Sequence, residues 1–186
     1  MVGVLALQGG FAAHVHALRE IGCNVREVRT PRDLEGLEGL VLPGGESTTM
    51  LRLLGELEPA LDEFVRAGHP VLATCAGLIL AARTVSDPEQ RSFGWIDVAV
   101  ARNAWGRQVD SFSAADDAGA PLVFIRAPRI TAQGGDVEVL ARFQGEPILV
   151  RQGNRYGATF HPELTSDRCL HARVFSHHKG HQGHEG

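Results

Sequence analysis

The stretch that most constrains this fold is HPVLATCAGLILAAR, running from His69 to Arg83. Val71, Leu72 and Ala73 make an apolar run suited to a short buried strand, and Leu78 to Ala82 read as the start of a helix. Only Thr74 to Gly77 remain for the turn, so Cys75 is expected on a sharp corner. Ala73 and Gly77, two residues to either side, are small enough for strand and helix to approach closely. The side chain at the apex is then pushed outward, as in a nucleophile elbow, and faces the positive end of the helix dipole. By itself, a cysteine after an apolar strand is also what an inert packed thiol looks like. The rest of the chain has to decide.

Val2 to Leu7 is a continuous apolar run of strand length, followed by a turn at Gln8-Gly9-Gly10. A helical pattern then places Val15, Leu18 and Ile21 on one face and stops at Gly22. Asn24 to Arg29 is a weaker strand, Thr30 to Leu37 a polar connection, and Gly39 to Leu42 a third short strand. Pro43-Gly44-Gly45 breaks the chain, and Ser47 or Thr48 is expected to cap a helix with Leu51, Leu54 and Leu57 inward. A further helix follows Pro59, with Leu61, Phe64 and Val65 inward, and Gly68 ends it. Strands alternating with helices imply a mostly parallel sheet covered on both sides.

Beyond Arg83 the texture changes. Val85 to Ser92 reads as polar loop, Ile96 to Ala101 as strand, and Arg102 to Phe112 as loop or edge without a clear period. Leu122 to Ile125, Val137 to Ala141 and Pro147 to Gln152 are short strands, and Gly153-Asn154 is a two-residue hairpin turn into Tyr156 to Phe160. The second half therefore turns antiparallel. A last helix is expected from Asp167 to about Phe175. Residues 1–176 are read as one domain, and the histidine- and glycine-rich tail 177–186 as disordered.

With 186 residues, 44% of them hydrophobic, the chain has enough apolar side chains for one sizeable core. Its net charge of −4 is dispersed, and the absence of a basic stripe argues against nucleic acid as a partner. Cys23, Cys75 and Cys169 form no CxxC pair and leave one over in any pairing, which disfavours a disulfide framework or zinc ribbon. A reducing cytoplasm fits best. The apolar N-terminus is too short for a membrane span and lacks the basic flank and cleavage region of a signal peptide, so no membrane association is expected.

Three constellations carry chemistry. His161-Pro162-Glu163 follows the strand ending at Phe160, and catalytic groups in open α/β sheets gather at the carboxyl ends of strands, where Cys75 also falls. A thiolate nucleophile needs a base that takes and returns a proton, and an imidazole oriented by a carboxylate does so near neutral pH. Pro43-Gly44-Gly45-Glu46-Ser47-Thr48-Thr49 allows Gly44 or Gly45 to offer a backbone N–H which, with that of Ala76, forms an oxyanion hole. A phosphate loop is disfavoured because no lysine precedes the Ser/Thr pair. Arg102, Arg107 and Arg126 suit recognition of carboxylate groups, though loop arginines are usually just solvated.

LALQG (Leu5 to Gly9), LPGGESTTM (Leu42 to Met50), TCAGL (Thr74 to Leu78), ARNAWGRQVDSF (Ala101 to Phe112), FIRAP (Phe124 to Pro128), RQG (Arg151 to Gly153) and ATFHPEL (Ala158 to Leu164) occur in that order. Together they resemble the glutaminase subunit of the two-component pyridoxal 5'-phosphate synthase, a class I (triad) glutamine amidotransferase. PGG, TCAG and HPE mark the broad class; GGESTTM with RNxxGRQVDSF marks this subunit. The resemblance spans Val2 to about Phe175.

It implies a three-layer, flavodoxin-like α/β fold whose mostly parallel central sheet ends in an antiparallel C-terminal part. It implies that Cys75 is the nucleophile, His161 the general acid/base and Glu163 its orienting partner. Gly45, Glu46, Ser47, Arg102, Ile125 and Arg126 match glutamine-binding positions. No metal or cofactor is implied. The implied reaction is hydrolysis of L-glutamine through a glutamyl thioester. Ammonia would pass to a separate (β/α)8 synthase subunit within a large hetero-oligomer, docked through the region from Gln8 to His14 and ordering the oxyanion peptide.

Three departures from the family pattern stand out: Ala73 where glycine is usual, Phe11-Ala12-Ala13 without the charged pair usual before His14, and Trp105 in place of a smaller aromatic. Two other readings of the same corner are a DJ-1-like redox or binding protein, which would have no use for His161 and Glu163, and a glutaminase serving another amidotransferase, such as one making imidazole glycerol phosphate.

Overall fold

The computed structural model describes residues 1–102 and 111–176. Trp105, most of the motif around it and the histidine-rich tail 177–186 lie outside the described residues.

The chain begins with β1 (Val2–Leu5), α1 (Phe11–Glu20), β2 (Val25–Val28), a 3-10 turn at Pro31–Leu34, β3 (Gly39–Leu42), α2 (Ser47–Leu54), α3 (Leu57–Arg66), β4 (Val71–Thr74) and α4 (Ala76–Ala81). It continues through β5 (Ala82–Ser86), β6 (Ile96–Ala101), β7 (Ser111–Ala115), β8 (Pro121–Ile125), β9 (Arg129–Gln133), β10 (Glu138–Phe143), β11 (Glu146–Gln152) and β12 (Arg155–Ala158). A 3-10 turn at Pro162–Leu164 and α5 (Cys169–Phe175) follow.

Seven strands form the central sheet in the order β10-β11-β12-β4-β3-β1-β2. Neighbours from β2 to β12 pair in parallel, whereas β11 and β10 extend the sheet antiparallel, β11 through the Gly153-Asn154 hairpin. The period-2 alternation of strand side chains sorts the core into two layers. Val2, Val4, Val41 and Leu72 meet α1 and α5 through Val15, Leu18, Val174 and Phe175. Leu40, Leu42, Val71 and Ala73 belong to the opposite layer with Met50, Leu57, Leu61 and Leu78. The expected three-layer arrangement is therefore present.

A three-stranded sheet, β5-β6-β9, and the β7-β8 hairpin accompany the central sheet. A third apolar cluster joins Leu122 and Phe124 of the hairpin to Ile148, Ala158 and Phe160. Among the described residues no helix is long and apolar enough to cross a membrane.

Several local expectations need correction. The N-cap of α2 is Glu46, not Ser47 or Thr48, because its carboxylate accepts from the amides of both Thr48 and Thr49. Leu57 does not extend that helix: Gly55, at φ +49°, separates it from α3, where Leu57 is the first residue and Pro59 sits within the opening turn. Proline is tolerated there because amides of the first turn have no intrahelical acceptor. Val85 and Ser86 belong to β5 rather than to a loop. Parallel pairing with β6 satisfies their backbone even though Arg83, Thr84 and Ser86 are exposed, which hides the strand from an apolar-run criterion. Strands β7 and β9 escape that criterion in the same way, with mainly polar or small side chains.

Candidate active site

The register of three adjacent strands assembles the site. Across β4 and β12 Thr74 pairs with Ala158, and across β3 and β4 Ala73 pairs with Leu42. The three chains thus leave the sheet side by side at their carboxyl ends, carrying Gly44-Gly45, Cys75 and His161. The amide of Cys75 donates to the carbonyl of Ala158 at 2.8 Å and fixes the elbow against β12.

Cys75 has φ +48° and ψ −106°, a conformation that costs a non-glycine residue on the order of 1–3 kcal/mol. Close packing holds it there. A Cβ on Gly77 would lie 2.0 Å from the Leu42 carbonyl oxygen, so only glycine lets α4 begin this near β3. On the other side, a Cβ on Gly44 would stand 2.4 Å from Cε1 of His161 and 3.3 Å from Cβ of Cys75. Gly44 is therefore the surface on which thiol and imidazole both rest.

His161 Nδ1 is 2.7 Å from Oε1 of Glu163. Its Nε2, buried, makes no hydrogen bond among the described residues. The Cys75 thiol beside the ring instead points at the carbonyl of Ile125, with Sγ 3.7 Å from that oxygen. Sulfur and imidazole are thus close enough to influence each other's charge without an aligned S–H···N bond. Burial disfavours the imidazolium, yet the neighbouring Cys75 and Glu163 outweigh it and raise the His161 pKa to about 10. Burial likewise works against the Glu163 carboxylate, but above all the His161 hydrogen bond holds its pKa below the usual range.

The second half of the site is more open. A cavity of about 360 Å³ is lined by Cys75, His161 and Glu163 and also by Gly44, Gly45, Glu46, Ser47, Arg102, Ile125 and Arg126. Every expected glutamine-contacting residue thus borders the same space as the thiol. Ala76 is buried and opens α4, and its amide has no acceptor within the helix. Glu46 accepts from the hydroxyl of Thr49 at 2.6 Å and from the amides of Thr49 and Thr48 at 2.7 and 3.1 Å. The Thr49 hydroxyl above all, with those amides, lowers its pKa to about 2. Arg102 Nη2 stands 3.7 Å from Oε1 of Glu46. The Ser47 hydroxyl is engaged elsewhere, donating to Oε1 of Gln90 at 2.7 Å.

Sequence reasoning missed how two residues act here. Gln8, read only as part of a docking region, accepts from the amide of Glu46 at 2.9 Å. Together with the Gly10 amide, which donates to the Gly44 carbonyl at 2.9 Å, it props the glycine loop from β1. His14 was placed in the same region but is fully buried behind Glu163. Its position four residues before Leu18 and seven before Ile21, on the apolar face of α1, was the signal that it points inward. Among the described residues, no group of three or more histidine, cysteine or acidic side chains is arranged to hold a metal ion.

Similarity to known proteins agrees with this geometry. The chain is 52% identical over 186 residues to pyridoxal 5'-phosphate synthase subunit PdxT of Deinococcus radiodurans, covering 94% of each sequence. It is 46% identical over 178 residues to the PdxT of Thermotoga neapolitana, covering 91% of this chain and 95% of that one. A crystal structure described as a glutamine amidotransferase superposes with a TM-score of 0.87 at 45% identity, covering 94% of this chain and 97% of its own. With residues 4–178 matching the model of the SNO glutamine amidotransferase family, the chain belongs to that family.

Proposed function

We propose that the chain hydrolyses L-glutamine to L-glutamate and ammonia as the glutaminase subunit of a pyridoxal 5'-phosphate synthase. The carrying observation is the strand register that brings Cys75, His161 and Gly44 into contact while Glu163 bonds the far nitrogen of the ring. Cys75 Sγ attacks the side-chain amide carbon of glutamine, and the oxygen that becomes negative is met by backbone amides at Gly44-Gly45 and at Ala76. His161 Nε2 takes the thiol proton as Sγ attacks, is held protonated beside Glu163, and passes that proton to the departing nitrogen, which leaves as ammonia. The same nitrogen then takes a proton from water as water attacks the thioester, releasing glutamate and restoring the thiol. Glu163 keeps the ring in one tautomer and supports its positive charge throughout.

Glutamine carries an ammonium and a carboxylate at its other end. Glu46, ionised and partly exposed in the cavity, suits the ammonium, and Arg102 and Arg126 suit the carboxylate. Gly45, Ser47 and Ile125 shape the remaining wall. Residues 1–176 act as one glutaminase domain in the cytoplasm. Ammonia passes to a (β/α)8 synthase subunit in a shared hetero-oligomer, with no metal or cofactor in this subunit. The relatives named PdxT support this reading.

The test mixes the full chain with its cognate synthase subunit and follows glutamate and pyridoxal phosphate. Both should form from glutamine, and Cys75→Ala should abolish glutamate release while exogenous ammonium still supports pyridoxal phosphate formation. Glutamate release that survives in the Cys75→Ala chain would overturn the mechanism. Recovery of a different synthase on native pull-down would overturn the pathway.

A further inference from the structure

Behind Glu163 lies a buried histidine pair that the chemistry above does not use. His14 of α1 and His171 of α5 are both fully buried. His14 Nδ1 is 3.0 Å from His171 Nε2, and His14 Nε2 is 3.1 Å from the Thr74 hydroxyl. The same Nε2 lies 3.2 Å from Oε2 of Glu163, to the side of the in-line direction, so Oε2 has no aligned hydrogen bond of its own. Thr74 immediately precedes Cys75. The pair therefore touches both the carboxylate and the strand that presents the nucleophile.

The proton positions follow from what each atom can do. A carboxylate only accepts, so a bare Nε2 on His14 would set its lone pair against a carboxylate oxygen 3.2 Å away. With the hydrogen on Nε2 the contact becomes attractive, and Nδ1 of a neutral His14 must then accept. The donor is Nε2–H of His171, which leaves His171 Nδ1 bare, and that buried nitrogen has no hydrogen-bond partner among the described residues. In the opposite arrangement His171 Nδ1 would carry a buried hydrogen with no acceptor, the costlier defect of the two. Burial also keeps both rings neutral, lowering their pKa values to about 4 and about 3.

We propose that His14, oriented by His171, is a positioning residue for the triad: its Nε2–H, directed at the Thr74 hydroxyl, lies beside Oε2 of Glu163 and holds that oxygen by charge–dipole attraction, so that Oε1 stays aimed at His161 Nδ1. The relay runs from α5 through α1 to the 3-10 turn after β12, with each ring fixed in its Nε2–H tautomer. His14 touches no substrate. The effect on rate rests on the glutaminase reading, whereas the hydrogen-bond assignment does not.

Two measurements test it. Nitrogen-15 NMR of the histidine-labelled full chain at pH 7 should show His14 and His171 neutral and protonated at Nε2; either ring protonated at Nδ1 instead overturns the proposal. In the complex with the synthase subunit, His14→Leu should lower kcat for glutamate release roughly 10- to 100-fold with KM nearly unchanged. His14→Gln, whose amide NH2 reaches where Nε2 stood, should recover a large part of that loss. His171→Leu should lower kcat more modestly and provides the same comparison if His14→Leu fails to fold. Equal kcat in folded His14→Leu and wild type, or no recovery in folded His14→Gln, would refute the positioning role. A wild-type chain that shows the expected tautomers but releases no glutamate would refute the glutaminase reading and leave the assignment standing.

Discussion

Glu163 and Glu46 border one cavity and are both held anionic, by opposite means. Glu163 has a side chain only 1% exposed, and burial alone would protonate it; its charge survives chiefly because it is paired with the His161 ring. Glu46 has a side chain 46% exposed and draws its low pKa from a hydroxyl and two amides at the start of α2. The first charge depends on other ionisable groups and falls with them. The second is built into a helix terminus, where amides have no other acceptor, and rests on groups that do not titrate. One cavity is therefore lined by two carboxylates whose charges rest on two kinds of electrostatics.

The sharpest way to break this contrast is to neutralise each carboxylate without changing its shape. Glu163→Gln removes the acceptor of the His161 proton and should lower kcat for glutamate release roughly 10³-fold. Glu46→Gln leaves the triad intact and should act mainly by raising KM. Steady-state kinetics with the synthase subunit present compares them; equal losses of kcat would dissolve the distinction.

Gly44 probes the surface shared by both halves. An added Cβ would come 2.4 Å from Cε1 of His161, too close for backbone and ring both to keep their places. Gly44→Ala should displace the imidazole by about an ångström, enough for a loss of roughly 10²-fold in kcat. Melting should change far less than activity, and a crystal structure of the variant would show a rotated His161.

How much of this was legible beforehand follows from the same contrast. Cys75, Gly44 and His161 were readable because each follows an apolar run, and apolar runs in a buried parallel sheet announce strand ends. Ala73 keeps the elbow small enough to form despite departing from the family's glycine. Strand β5 was not readable, since its exposed side chains break the apolar pattern and its pairing with β6 is a tertiary fact. The Glu46 cap was missed because serine and threonine are the commoner caps and only the folded turn shows whose oxygen reaches the amides. His14 was visible as a histidine on an apolar helix face, but its partner is 157 positions away in α5. No local pattern joins two such residues.

Acid titration separates the buried cluster from the exposed cap. His14 and His171 have folded pKa values near 4 and 3, against an ordinary value of 6.5. Glu163 and Asp167 favour charge on His171, while His14 and Arg168 oppose it, and burial dominates. Between pH 6.5 and the folded values the unfolded chain binds more protons, so stability is fully present above pH 6.5 and is lost as pH falls. Each ring contributes a slope of up to about 1.4 kcal/mol per pH unit. Denaturant unfolding at pH 6.5 and pH 5 should show a shallower loss in His171→Gln than in wild type. An unchanged slope would mean that the pair is accessible to protons in the folded state.

The smallest expected effect belongs to the exposed carboxylate. Glu46→Ala leaves the amides of Thr48 and Thr49 without their acceptor in a helix of only eight residues, and loss of an N-cap of this kind costs about 1 kcal/mol. For a domain of this size that is a fall of roughly 2–4 °C in Tm. Glu46→Asp, which retains a carboxylate acceptor, should recover most of it. Because the cap carboxylate titrates near pH 2, the difference between Glu46→Ala and wild type should stay constant from pH 8 to pH 5. The buried cluster loses its contribution over the lower part of that range. A cap contribution that faded in parallel would show that Glu46 is coupled to the histidines after all, and that the cavity has one electrostatic system rather than two.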